Sequence, residues 1–293
     1  MKFLVTGSTG LVGRQVVKDL TEKNHLVYSC YYNQKPQHGN PIHLDLTVLS
    51  NITTSVEQVK PDVIIHLAAM TDVDGCEAEK DLAFLINSQA TEKLAKQAAL
   101  QNAFFVYVST DYVFDGTKEF WNENDRPNPL GNYGKSKLGG EKAIENLASS
   151  WCIARISTPF GFHPKKKSFP LWVADNLKSK KEINVLVDQF TSPTYVPNLS
   201  KILIEISEKQ LLGVYHVSGA SRISRYELAE LVSEKLNLDK KLLKPTTMNE
   251  IKWKAKRPKD SSLDISKAAY ILNEKPQKIE DSLNLFIKEL NQN

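Results

Sequence analysis

Cysteine is scarce in this 293-residue chain. Cys30, Cys76 and Cys152 are odd in number, far apart and never in a C-x-x-C spacing. That excludes a disulfide framework and predicts reduced, buried thiols. The six histidines show no H-x-x-x-H or H-E-x-x-H spacing, so no metal is expected. No apolar run approaches the roughly 20 residues that span a bilayer. The longest, DVIIHLAAM at Asp62–Met70, has the length of a strand. The start, MKFLVTG, carries no charged-then-apolar leader, and the expectation is a cytoplasmic protein with no membrane partner. Repeats, low-complexity tracts and Gly/Ser linkers are missing as well. What remains is an ordinary globular composition, 41% hydrophobic and 25% charged.

Charge is uneven along the chain. Residues 1–150 carry 14 Lys and Arg against 18 Asp and Glu, a net −4; residues 151–293 carry 24 against 16, a net +8. Runs such as KKK at Lys165–Lys167 and KSKK at Lys178–Lys181 suit a solvated face. They also suit a C-terminal half that attracts an anionic ligand. No aromatic–basic interleaving points to nucleic acid as that ligand.

Apolar, β-rich runs alternate with amphipathic stretches. KFLVT precedes a helix at about Leu11–Glu22, and LVYSCYY follows. PIHLDL precedes a helix near Leu49–Val59, then come DVIIHLA, a long helix over roughly Ala83–Leu100, FFVYVS, a helix around Tyr133, and WCIARI. Strands without a polar alternate face belong in a parallel sheet covered by helices on both sides. The β-α-β-α order therefore predicts an α/β fold with a doubly wound parallel (Rossmann) sheet over residues 1–155. A smaller, closely packed C-terminal substrate-binding lobe is expected over 156–293. Its elements are helices at Phe169–Lys178, Asn198–Glu208, Arg225–Leu236, Asp264–Leu272 and Ile279–Leu290, with strands at INVLV and GVYHVS.

TGSTGLVG at Thr6–Gly13 ends the first strand and opens the first helix. Gly7, Gly10 and Gly13 permit a tight turn and close backbone approach to a pyrophosphate, which the free N–H groups of the helix then hold. Thr9, Leu11 and Val12 belong to the same turn. Further along, Tyr133 and Lys137 are four residues apart and share a helix face, while Lys135 points elsewhere. A phenol with an ordinary pKa of about 10 needs a nearby cation to work near neutral pH. Thr110, in STDYVFDG at the carboxyl end of a strand, can reach a substrate carbonyl.

This glycine spacing, with Tyr-x-x-x-Lys downstream, resembles the extended short-chain dehydrogenase/reductase family. STDYVFDG, NPLGNYGKSKLGGE, VDQFTSPTYVPNLS, GVYHVSG and RPKDSSLD, with HLAAMTDVDGCE and Ile86–Asn87, narrow it to the dTDP-4-dehydrorhamnose reductase family, along nearly the whole chain. The resemblance implies an oxidoreductase acting on a 4-keto-6-deoxy sugar nucleotide. Tyr133 would be the proton donor, Lys137 the ribose contact that lowers the tyrosine pKa, and Thr110 and Asp111 substrate contacts. It places Asp45, Leu46, Ala68, Ala69 and Met70 along the cofactor, and a homodimer is possible. Arg257, in KRPKDSSLD, is the candidate for the substrate diphosphate, because a guanidinium matches phosphate bidentately. Thr158 stands where the family commonly has tryptophan, and Gln15 where some relatives have a metal-binding glutamate.

No Asp or Glu occurs between Lys23 and Leu44, so nothing negative excludes a 2′-phosphate there, and Arg14 and Lys35 could attract one. NADPH is the expected cofactor, with NADH possible. Two other readings stand beside the reductase: a sugar-nucleotide epimerase or dehydratase of the same fold, and a non-catalytic subunit like the regulatory subunit of methionine adenosyltransferase.

Overall fold

A computed structural model describes residues 1–147 and 150–291. Its central sheet takes β1 (Lys2–Thr6), β2 (Leu26–Tyr31), β3 (Asn40–His43), β4 (Val63–His66), β5 (Phe104–Thr110), β6 (Trp151–Ile156) and β7 (Gly213–His216). The order across the sheet is β7-β6-β5-β4-β1-β2-β3, and every adjacent pair is parallel. The longer helices are α1 (Leu11–Glu22), α2 (Leu49–Val59), α3 (Ala90–Leu100), α4 (Asn132–Leu147), α5 (Phe169–Lys178), α6 (Val196–Lys209), α7 (Arg225–Lys235) and α8 (Ile279–Leu290).

The apolar strands are buried on both faces, and β5 has no exposed residue along its length. Successive side chains go to opposite layers. Phe3 and Val5 pack with Val16 and Leu20 of α1 and Leu199 and Leu203 of α6. Leu4, between them, packs with Ile52 and Val56 of α2 and Leu94 and Ala98 of α3. Each buried side chain of this size contributes roughly 1.5–3 kcal/mol, against a net ~1 kcal/mol for a ladder hydrogen bond. The two helix layers therefore dominate the stability of the sheet.

Beyond residue 155 the chain contributes to two cores. α6 and β7 complete the sheet. α5, α7, α8 and the parallel pair Ile183–Leu186 with Leu243–Thr246 enclose a separate cluster around Phe160, Leu228, Leu283 and Phe286. α6 begins at Val196, two residues before the expected Asn198, because Pro197 suits a first helical turn, where no intrahelical N–H bond is lost. The expected helix at Asp264–Leu272 is the shorter Ser266–Ile271. No described helix is long and apolar enough to cross a membrane.

The expected single helix over Ala83–Leu100 is broken. A helix at Lys80–Phe84 passes through a π turn at Leu85–Gln89 before α3. The wider turn re-aims Asn87. Its side chain accepts from the Met70 N–H at 2.8 Å and donates to the Met70 carbonyl and the Ser136 hydroxyl, both at 3.0 Å. One amide thereby ties the loop after β4 to α4, the helix that carries Tyr133.

Candidate active site

The direction of winding reverses at β1, which has β2 on one side and β4 on the other. Such a switch point opens a crevice at the carboxyl ends of the strands. The cleft here has a volume of about 1110 Å³. Its floor is the glycine turn. Gly7 has φ +66°, and a Cβ there would lie 2.7 Å from the Ala68 nitrogen. A Cβ on Gly13 would lie 2.1 Å from the Gly7 carbonyl oxygen. Only glycine fits at either position. α1 then starts without a side-chain cap and without an acid in its first turn, leaving its N–H groups and positive end open to an anion. These features fit a dinucleotide pyrophosphate.

A polar chain fixes the floor. Thr6 Oγ1 accepts from the Leu67 and Ala68 N–H groups, each at 3.1 Å, so its hydroxyl donates to His66 Nδ1 at 2.6 Å. His66 Nε2 then donates to Thr91 Oγ1 at 3.0 Å. Burial, reinforced by the charge of Lys137, pushes the His66 pKa down to about 3. The ring is neutral at any working pH.

Thr9, Gly10, Leu11, Val12, Asp45, Leu46, Ala68 and Ala69 all line the cleft with Gly7 and Gly13. Met70 does not; its backbone N–H and carbonyl are occupied by Asn87. The wall beyond β2 consists of Tyr31, Tyr32, Asn33 and Gln34. Asp45 is the one carboxylate near that wall among the described lining residues, and its Oδ1 already accepts from the Thr47 N–H and hydroxyl. Arg14 turns to Gln37 at 2.8 Å and lines a smaller neighbouring cavity, and Lys35 lines neither. Besides Lys137, the lysines that line the cleft are Lys165, Lys166 and Lys167.

Thr110, Tyr133 and Lys137 are brought together on one side of the cleft. Glu77 sets the start of the helix that carries Tyr133 and Lys137, accepting from the Asn132 backbone N–H at 2.6 Å and its side-chain amide at 2.8 Å. Lys137 is buried and Lys135 exposed, as the four-residue spacing requires. The Lys137 ammonium donates to the Val108 carbonyl at 2.8 Å and lies 4.0 Å from the centre of the Tyr107 ring. Burial pushes its pKa down to about 7, with Glu141 acting in the opposite direction. Glu141 in turn is held in a buried bidentate pair with Arg155 at 3.0 and 2.7 Å.

The Tyr133 pKa departs from expectation. Burial raises it, and the hydrogen bond with Thr110 offsets only part of the rise. Lys137 is not among the leading causes, and its ammonium donates to the Val108 carbonyl. The phenol is therefore stored as an acid. That is the protonation state a proton donor needs before the reaction.

Asp111 lines the cleft but has no free oxygen. Oδ1 accepts from Thr110 at 3.0 Å, and Oδ2 accepts from Ser157 at 2.7 Å and Ser261 at 2.6 Å. It joins the ends of β5 and β6 to the segment after Arg257. Arg257 itself is absent from the described lining; Asp74 holds it bidentately, both contacts at 3.1 Å, and it lies over Trp253. The guanidinium in the wall is that of Arg225, at the start of α7. Its contacts are long ones, 3.4 Å to Gln189 and 3.4 Å to Thr158, with Phe169 beneath it, and among the described residues no carboxylate pairs with it. Thr158 adopts φ +40°, strained for a β-branched residue at a cost of about 1–3 kcal/mol. Its hydroxyl oxygen accepts from Arg225.

The family model for the RmlD substrate binding domain matches residues 1–292. The probable low-salt glycan biosynthesis reductase Agl14 of Haloferax volcanii is 32% identical over 288 residues, covering 97% of this chain and 96% of that protein. Methionine adenosyltransferase 2 subunit beta of Xenopus tropicalis is 35% identical over 274 residues, covering 91% and 81%. The crystal structure of a dTDP-4-dehydrorhamnose reductase from Bacillus anthracis in complex with NADP superimposes with a TM-score of 0.89 at 31% identity, covering 98% of this chain and 99% of that one. The chain belongs to the RmlD substrate binding domain family, and its fold is that of the dTDP-4-dehydrorhamnose reductases.

Proposed function

We propose that this member of the family is an NAD(P)H-dependent oxidoreductase that reduces the 4-keto group of a nucleotide-linked 6-deoxy sugar, with dTDP-4-dehydrorhamnose as the leading candidate. The observation that carries the reading is a single one: Thr110, Tyr133 and Lys137 face the glycine cradle across one cleft. A bound reduced dinucleotide would supply the hydride. Tyr133, kept protonated by burial, donates its proton to the carbonyl oxygen as that oxygen gains charge. Thr110 orients the phenol and the carbonyl between them. Lys137, whose ammonium here donates to the Val108 carbonyl, would hold the nicotinamide ribose of a bound dinucleotide. A panel of 4-keto sugar nucleotides, followed by the loss of reduced-nicotinamide absorbance, identifies the substrate; no consumption with any member would sink the reading.

Arg225 is the residue proposed for the substrate's diphosphate, in preference to the Asp74-bound Arg257. Its guanidinium lines the cleft, and its long contacts leave most of its donors available. Hydrogen bonds to a charged group are worth about 1.5–3 kcal/mol. Arg225→Gln is therefore expected to raise KM for the sugar nucleotide roughly 10- to 100-fold and leave that for the dinucleotide unchanged. Steady-state kinetics with each substrate varied in turn checks this, and equal changes in both constants would return the residue to a structural role.

The wall of Tyr31, Tyr32, Asn33 and Gln34 offers no carboxylate to repel a 2′-phosphate. NADPH should be used at least as well as NADH. A kcat/KM tenfold higher with NADH, a difference of about 1.4 kcal/mol, would contradict this.

A second reading has support of its own. The 35% identity to a methionine adenosyltransferase subunit favours a role as a dinucleotide-binding subunit of a larger enzyme. Copurification with a methionine adenosyltransferase, together with no turnover of any keto sugar, would establish it.

A further inference from the structure

The segment between β6 and α5 carries three consecutive lysines beside the cleft, and its backbone is fastened by one side chain. His163 Nδ1 accepts from the Lys165 N–H at 3.1 Å and the Lys166 N–H at 3.0 Å. A nitrogen accepting two donors bears no proton, so the proton is on Nε2, which donates to the Thr9 carbonyl at 2.9 Å. Thr9 belongs to the glycine turn. The imidazole thus connects the cradle for the pyrophosphate to the turn that presents the lysines. Lys167 is paired with Asp175 at 2.7 Å. Lys165 and Lys166 line the same cleft, and among the described residues neither ammonium has a carboxylate partner.

Two unpaired ammonium groups beside an anion cradle repel each other and lose side-chain freedom if they are held there without a ligand. Their placement makes sense as a grip on negative charge. We propose that Lys165 and Lys166 form a phosphate clamp that closes the cleft over the bound dinucleotide, with His163 as the positioning residue that sets the clamp at the glycine turn. This rests on the dinucleotide reading above. The basic run is then a binding element attached through its backbone, not only a solvated face.

The test measures dissociation constants of NADPH, NADH and dTDP for the full chain by calorimetry. The proteins are the wild type, Lys165→Met/Lys166→Met, His163→Ala and the triple variant. The lysine pair should weaken dinucleotide binding about 2- to 30-fold, in keeping with two exposed charge contacts. An equal loss for both dinucleotides places the grip on the pyrophosphate; a loss confined to NADPH places it on the 2′-phosphate. His163→Ala should weaken binding by itself and add nothing in the lysine-free background, because it acts only through the lysines. A merely structural histidine would weaken binding equally in both backgrounds, and that additivity overturns the proposal. So does unchanged affinity in the lysine variant, or a loss for dTDP as large as that for the dinucleotides, which marks general charge attraction. A wild type that binds neither dinucleotide removes the underlying reading and the clamp with it.

Discussion

Replacing Tyr133 with phenylalanine should lower kcat by roughly 10²–10⁴-fold, the usual contribution of a general acid, and leave the dinucleotide dissociation constant where it is. The substitution removes one oxygen and keeps the ring, so the edge-on contact with Tyr112 at 5.8 Å survives. What is lost is a proton held ready beside Thr110 by burial. Because the hydroxyl is the group that gives up the proton, the defect should be in the chemical step and not in binding. Single-turnover reduction separates the two. A variant that reduces its substrate at close to the wild-type rate would remove Tyr133 from the mechanism.

Lys137→Met should damage both turnover and dinucleotide affinity, since its ammonium is the group proposed to hold the nicotinamide ribose that presents the hydride. It should also change stability in a pH-dependent way. The unfolded lysine titrates at its ordinary value of 10.5 and the folded one at about 7. Between those values the folded wild type binds fewer protons than the unfolded chain, so this group makes stability rise with pH across that window. Below about 7 both states are protonated and the folded protein carries the full cost of a buried charge. Methionine carries none. The variant therefore compares best with the wild type at pH 6, and its relative stability should fall by on the order of 2 kcal/mol by pH 9. Denaturant midpoints at the two pH values measure this, and an unchanged difference between the proteins would contradict the buried-charge account.

The sheet was legible because both of its faces are covered. KFLVT, VIIH and FFVYVST have no polar alternation to mistake for an open sheet. Helices α1, α2 and α5 end where their apolar spacing ends. The π turn at Leu85–Gln89 was not legible, since one extra residue per turn barely disturbs an apolar pattern over eighteen residues. Its consequence is the placement of Asn87, which holds Met70 and Ser136.

At the site, residues carried by local geometry were readable and those brought in from afar were not. Glycines 7, 10 and 13 and the Tyr133–Lys137 spacing follow from one turn and one helix. Arg225 gives no such signal. In ISRYELAE the visible pattern is a capping box, Ser224 with Glu227, which explains the helix start and hides the arginine beside it. Only the fold carries α7 across the cleft. Arg257 shows the reverse: its motif drew attention, and a carboxylate 183 residues earlier in sequence, Asp74, already holds it. The absent tryptophan at Thr158 could be read from the chain. The positive φ of Thr158 and its contact with Arg225 could not.

The central claim is that the cleft carries out a net reduction. The direct measurement is the number of reduced nicotinamides oxidised per 4-keto sugar nucleotide converted, with product followed by chromatography. One per turnover is the predicted result. Conversion with no net oxidation would mean a cofactor-recycling epimerase or dehydratase, and dinucleotide bound with no conversion of any keto sugar would mean a binding subunit; either result would contradict the account.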